Sequence, residues 1–115
     1  VLFRSVESIR VAELTALLDG DRRGLVLIDV RTPPEAEIAR IEGAELIPLD
    51  QIENGTAVER VRQLAAGKTL YVHCKMGGRS AKALIALKRH GIEGVNVEGG
   101  INAWSETIDP SVPRY

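Results

Sequence analysis

The stretch Thr69-Leu70-Tyr71-Val72-His73-Cys74-Lys75-Met76-Gly77-Gly78-Arg79-Ser80 joins a short apolar run to a glycine loop. Its first five residues have the length and the β-branched and aromatic composition of a buried strand. From Ala81 to His90, apolar residues return at Ala81, Leu84, Ile85 and Leu87, the spacing of one helix face. A strand that turns through glycine into a helix leaves unpaired N–H groups at the helix start, which carry partial positive charge and suit an anion. Gly77 and Gly78 would let those amides turn inward without Cβ clashes. Cys74, the only cysteine among 115 residues, stands at the mouth of this loop.

A thiol in such a place is expected to react. Free thiols titrate near 8.5, and helix N-termini with cationic neighbours commonly bring that to about 3.5–7.5; a shift of about two units already makes the thiolate dominant at neutral pH. Lys75 and Arg79 supply the cations, and Arg79 adds a planar fork of donors matched to oxyanions. The alternative is a buried structural cysteine, although glycines, Lys and Arg are costly surroundings for a packing thiol.

The flanking sequence alternates strands and helices. Ser8 to Arg10 reads as a short strand and Val11 to Leu18 as a helix, with Leu14, Leu17 and Leu18 at helical spacing, ending at the Asp19-Gly20-Asp21 turn. Leu25 to Val30 is a continuous apolar run, suited to a strand covered on both faces. Pro33-Pro34 can open a brief helix through Arg40. Ala44 to Ile47 is expected as a strand, Asp50 to Asn54 as a helical turn, and Thr56 to Ala66 as a helix stopped at Gly67. After the Cys74 strand and its helix come a strand at Gly94 to Val97 and a helix from Ile101 to Glu106. This pattern predicts an α/β fold: a mostly parallel sheet with helices on both faces and an active site at the carboxyl ends of the strands, where Asp29, Cys74 and Val97 converge.

Composition limits the function. Fifteen Lys and Arg against sixteen Asp and Glu, with one Trp, two Tyr and one Phe, make no electrostatic or stacking case for nucleic acid. No apolar run is long enough to cross a membrane and no leader pattern is present. A lone cysteine with two histidines makes neither an internal disulfide nor a plausible zinc site, so no metal is expected and a reducing, cytoplasmic setting fits.

Four motifs, in order, carry a resemblance. Leu27-Ile28-Asp29-Val30-Arg31 with Glu35, then Ile41 to Pro48, then Val72-His73-Cys74 through Arg79-Ser80, then Glu98-Gly99-Gly100-Ile101 with Trp104 together resemble the rhodanese domain. The likeness runs from about Ser8 to Ser105. The Cys74–Ser80 loop and the ending Asp109 to Tyr115 are similar to the carboxyl-terminal rhodanese domain of adenylyltransferase-sulfurtransferase proteins, which serve sulfur-carrier proteins for molybdopterin, thiamine or cysteine biosynthesis. The resemblance implies a three-layer fold around a five-stranded sheet, with a rhodanese domain over residues 8–106 and a tail over 107–115. Residues 1–7 would be the remnant of a linker from an upstream adenylating domain, or a non-native junction.

It further implies that Cys74 takes sulfane sulfur from thiosulfate or a protein persulfide donor, holds it as a persulfide and passes it to a nucleophilic acceptor, with no cofactor. That acceptor could be an adenylated sulfur-carrier protein. Lys75, Met76, Gly77, Gly78, Arg79 and Ser80 would form the substrate-binding loop, its amides acting as an oxyanion hole does, with Arg79 on the oxygens of the donor or of departing sulfite. Four residues separate Cys74 from Arg79, one fewer than in rhodanese-like phosphatases, and the shorter ring suits sulfur over a tetrahedral phosphate. Asp29 is expected to hold this loop or, more simply, to cap the turn after its strand. Arg31 and Arg40 either add positive potential or are solvated charges. His73 points to the face opposite Cys74 and reads as a buried histidine with a hydrogen-bond partner, and Trp104 as core. A non-catalytic partner-binding module of the same family is the competing reading.

Overall fold

In the computed structural model, residues 6–115 are described; of the junction expected over residues 1–7, positions 1–5 lie outside them. β1 (Glu7–Arg10), β2 (Leu25–Asp29), β3 (Glu45–Leu46), β4 (Thr69–His73) and β5 (Val95–Glu98) form one sheet in the order β1-β5-β4-β2-β3. Every pairing is parallel. Parallel neighbours need a crossover, and helices supply them: α1 (Val11–Asp19), α2 (Pro33–Ile38), α3 (Leu49–Glu53), α4 (Val58–Ala65), α5 (Gly78–Lys88) and α6 (Gly100–Thr107).

Two apolar cores sandwich the sheet. Ile28 of β2 and Leu70 and Val72 of β4 face Ile52, Val61, Leu84 and Leu87 of α3, α4 and α5. On the other side Leu27 and Tyr71 meet Leu14 and Leu18 of α1 and Ile101 and Trp104 of α6. Successive residues of β2 and β4 therefore reach opposite cores, which is why both strands read as unbroken apolar runs. Each such side chain, fully buried, contributes about 1.5–3 kcal/mol.

The expected elements are present with shifted ends. α2 stops at Ile38, short of Arg40, and β3 pairs over two residues only. α4 begins at Val58, and its Leu64 and Ala65 are half-buried beside the fully buried Val61. α5 begins at Gly78, three residues before the expected Ala81, because Gly77 takes a left-handed φ of 115° and caps the helix directly. Arg79 and Ser80 thus lie in the first turn of α5. Gly78 is helical and a Cβ there would meet nothing within 4 Å, so Gly77, not the pair, is what the turn requires.

Candidate active site

The central strands β2 and β4 run side by side, with Asp29 opposite His73, and the Val30 N–H donates to the His73 carbonyl at 3.0 Å. Their carboxyl ends therefore present two groups of residues next to each other. One is a backbone cradle around Cys74. The other is a set of charged side chains.

In the cradle, Cys74 continues β4 into the core face and its side chain is buried. The Gly77 N–H donates to its Sγ at 3.0 Å, and Ser80 Oγ lies 3.3 Å away. The Ser80 hydroxyl has one proton and its shortest partner is Asn96 Oδ1 at 2.5 Å, while Asn96 Nδ2 donates to the Gly77 carbonyl at 3.3 Å. Asn96 of β5 thus ties two points of the loop, Gly77 and Ser80. Ser80 can accept from a Cys74 thiol, and the Gly77 amide remains aimed at the sulfur once the proton has left.

The floor of the loop is held by the start of α6. The N–H groups of Ile101 and Asn102 donate to the carbonyls of Cys74 (2.9 Å) and Lys75 (3.1 Å). This approach needs glycine: Gly100 has φ +57°, and a Cβ on it would sit 2.5 Å from both carbonyl oxygens. The Gly99-Gly100 turn at the start of α6 is therefore what fixes the backbone of Cys74 and Lys75.

The charged group begins with Asp29 and Arg31, both buried. Asp29 accepts from the Arg31 backbone N–H at 3.0 Å and from its guanidinium at 2.9 and 2.7 Å. Arg31 also donates to the carbonyl of Ala39 at 2.6 Å and to the Tyr115 hydroxyl at 2.8 Å. Asp29 therefore caps its own turn and pairs with Arg31; among the described residues it makes no hydrogen bond to the cysteine loop. Arg31 is neither a solvated charge nor a free one at the mouth, since burial disfavours its charge but the bonds to Asp29 and Tyr115 outweigh that and raise its pKa. Arg40 is exposed, as the solvated reading expects. His73 is fully buried, and burial pushes its pKa down so that the ring stays neutral. Its Nδ1 lies 3.1 Å from the Cys74 carbonyl, while Nε2 has no hydrogen-bond partner among the described residues.

Around this pair stands a second one. Glu35 accepts from Arg79 Nη1 and Nη2 at 2.6 and 2.9 Å, from the Tyr115 hydroxyl at 2.7 Å and from the Thr32 N–H at 3.1 Å. The Arg79 guanidinium holds the Glu35 carboxyl well below the usual carboxylate range, with Tyr115 and Thr32 adding to the effect against burial. In return Glu35 raises the pKa of Arg79. Two of the five Arg79 N–H groups are thus occupied, and its Nε–H, with the second proton of each Nη, has no protein acceptor among the described residues. Lys75 Nζ lies over the Tyr115 ring, 4.6 Å from its centroid, and Met76 stands out into solvent at 69% exposure.

Sequence reasoning located the cysteine loop but gave no role to Glu35, Asn96 or Tyr115. Glu35 had a signal, for Thr32-Pro33-Pro34-Glu35 is a capping box, and both of its bonds are formed. Asn96 and Tyr115 had none, since their partners lie 16 to 84 residues away.

Comparison with known proteins agrees with this geometry. The rhodanese-like domain family matches residues 10–107. An uncharacterized 16.5 kDa protein of Synechococcus elongatus is 42% identical over 95% of this chain and 75% of its own length. The probable adenylyltransferase/sulfurtransferase MoeZ of Mycobacterium tuberculosis is 42% identical over 90% of this chain, which spans only 26% of that relative's length. The human single-domain sulfurtransferase TSTD1 superposes with a TM-score of 0.70 at 26% identity, covering 89% of this chain and 97% of its own. With its parallel five-stranded sheet, its cysteine loop between β4 and α5 and these relatives, the chain belongs to the rhodanese-like domain family.

Proposed function

We propose that the chain is a sulfurtransferase that carries sulfane sulfur as a persulfide on Cys74. The observation that carries this reading is the Gly77 N–H held 3.0 Å from Cys74 Sγ in a loop pinned at both ends. A preorganised donor of this kind stabilises negative charge on sulfur without reorganisation as the charge moves. The Cys74 thiolate attacks the outer sulfur of thiosulfate, a new S–S bond forms to Sγ, and the thiosulfate S–S bond breaks with its electron pair leaving on sulfite. A nucleophile then attacks the terminal sulfur and Cys74 departs as thiolate. With no second cysteine among these 115 residues, discharge occurs onto a nucleophile outside them.

Within this reading Lys75 to Ser80 line the site of the transferred sulfur, and the free Nε edge of Arg79 takes a donor oxygen. Asp29 and Arg31 support the loop from below by fixing the end of β2. The physiological donor is either thiosulfate or a protein persulfide. The similarity to MoeZ supports a sulfur-carrier protein as acceptor, adenylated by a domain upstream in the same polypeptide or in a separate one, as in molybdopterin synthesis. A reducing cytoplasm keeps a lone thiol available for this cycle.

The test is thiocyanate production from thiosulfate and cyanide, with Cys74→Ser as control. Turnover by the parent and none by the variant is expected. A parent that makes no thiocyanate and takes sulfur from no persulfide donor would leave a partner-binding module in its place.

A further inference from the structure

The segment after α6 returns across the molecule. The Ser105 hydroxyl donates to the Val112 carbonyl at 2.7 Å, and Arg114 pairs with Glu106 at 2.8 Å, which fixes the direction of the chain toward Tyr115. Tyr115 then touches three of the charged groups beside the loop. Its hydroxyl accepts from Arg31, itself locked on Asp29, and donates to Glu35, which grips Arg79. Its ring faces the Lys75 ammonium.

We propose that Tyr115 is a positioning residue for the two loop cations. Acting through Glu35, it sets the plane of the Arg79 guanidinium so that the Nε edge is presented to an oxygen of the sulfur donor. Through its ring, it restrains Lys75 beside Cys74. This assignment deepens the sulfurtransferase reading and rests on it for the nature of the donor. The chemistry follows from the hydrogen-bond inventory. A tyrosine hydroxyl has one proton and two lone pairs; here Arg31 fills a lone pair, which leaves the proton for Glu35 and fixes the carboxylate's rotation. Neutral Tyr115 is the donor form, and burial raises its pKa, which keeps that form at neutral pH. Glu35 has four further donors on it, two from Thr32 and two from Arg79, so removing Tyr115 would loosen the pair with Arg79 without abolishing it. The expected effect is therefore graded, and confined to the step that uses an anionic donor.

Loading is followed by mass spectrometry in a single turnover over a range of thiosulfate concentrations, and discharge by mixing pre-formed persulfide with cyanide. Tyr115→Phe should raise the thiosulfate concentration for half-maximal loading about 3- to 10-fold, the worth of one hydrogen bond, with discharge unchanged. Tyr115→Ala should lose about a further 2- to 5-fold as the contact with Lys75 goes. In a Glu35→Ala background Tyr115→Phe should add nothing, since its route to Arg79 is already cut. Parent-like loading, equal loss in both half-reactions, or additive effects with Glu35→Ala would overturn the proposal.

A second readout does not need sulfur transfer. The ratio of Cys74 alkylation rates by iodoacetate and by iodoacetamide reports the positive charge placed near the sulfur, and it should fall in Tyr115→Phe. If the parent accepts no sulfur yet this ratio falls, the sulfurtransferase reading fails and the positioning role stands. If the parent transfers sulfur and the ratio does not move, the positioning role fails alone.

Discussion

The ends of β4 and β2 solve the same problem in opposite ways. Both are parallel strands ending side by side at the active edge of the sheet, and both must bury polar groups there. β4 ends in a loop built from main chain: an amide on the sulfur, a left-handed Gly77, and two carbonyls bound by α6, where a Cβ on Gly100 has no room. β2 ends in side chains: Asp29 on Arg31, Glu35 on Arg79, and Tyr115 bridging the two pairs. Main-chain donors cannot be titrated away and suit a charge that comes and goes. Side-chain pairs hold fixed charge at a cost in desolvation, and here they serve to hold the neighbouring helix and tail in place.

This comparison predicts that breaking the buried Asp29–Arg31 pair at β2 is felt mainly in stability, whereas damage to the β4 loop removes the chemistry as well. The largest effect on folding is expected for Arg31→Met. It strands the Asp29 carboxylate, 2% exposed, without its partner, which costs about 3–5 kcal/mol. Urea unfolding measures it, and a loss under about 1 kcal/mol would mean that water reaches Asp29 and the pair is not buried.

Next comes Gly100→Ala, which should cost at least about 2 kcal/mol from the left-handed backbone and the contact with two carbonyls, and should displace the Cys74 and Lys75 backbone so that sulfur loading is lost. Gly78→Ala is the control for folding, because nothing stands within 4 Å of its Cβ and its backbone is helical. Equal stability of the two glycine variants would break the distinction drawn at β4.

The smallest effect belongs to Glu35→Gln, which should cost about 1 kcal/mol at pH 7 after discounting for the exposure of Arg79. Its sign with pH is fixed. The folded Glu35 carboxyl lies below its ordinary value of 4.5, chiefly through Arg79, so the stabilisation is complete above about 4.5 and is lost as the pH falls below that. The Tm gap between parent and variant should therefore be constant from pH 8 to 5 and close in acid. A gap that widens in acid would contradict the pairing.

How legible each end was in the sequence follows from the same contrast. The β4 loop is contiguous: strand, glycine turn and helix start lie within twelve residues from Thr69 to Ser80, so periodicity and glycine placement suffice to find Cys74. The layers were legible too, because β2 and β4 are apolar on both faces. The β2 side was not. An Asp-Val-Arg sequence looks the same whether the arginine is solvated or buried, and Arg31 is buried because α2, the Ala39 carbonyl and Tyr115 close over it. Asn96 sits in an ordinary alternating strand, and only the sheet order, which sets β5 beside β4, brings it to Ser80. The start of α5 was misplaced for a local reason: helical periodicity first shows at Ala81, whereas the cap is a glycine conformation that periodicity does not register.

The central claim is that Cys74 holds a transferred sulfur atom, and intact-mass spectrometry tests it most directly. After incubation with thiosulfate, or with a persulfide donor, the parent should gain the mass of one sulfur, about 32 Da, which cyanide or a reductant removes and Cys74→Ser never shows. A parent that stays at its original mass with every donor, or a Cys74→Ser variant that gains the same mass, would contradict the account.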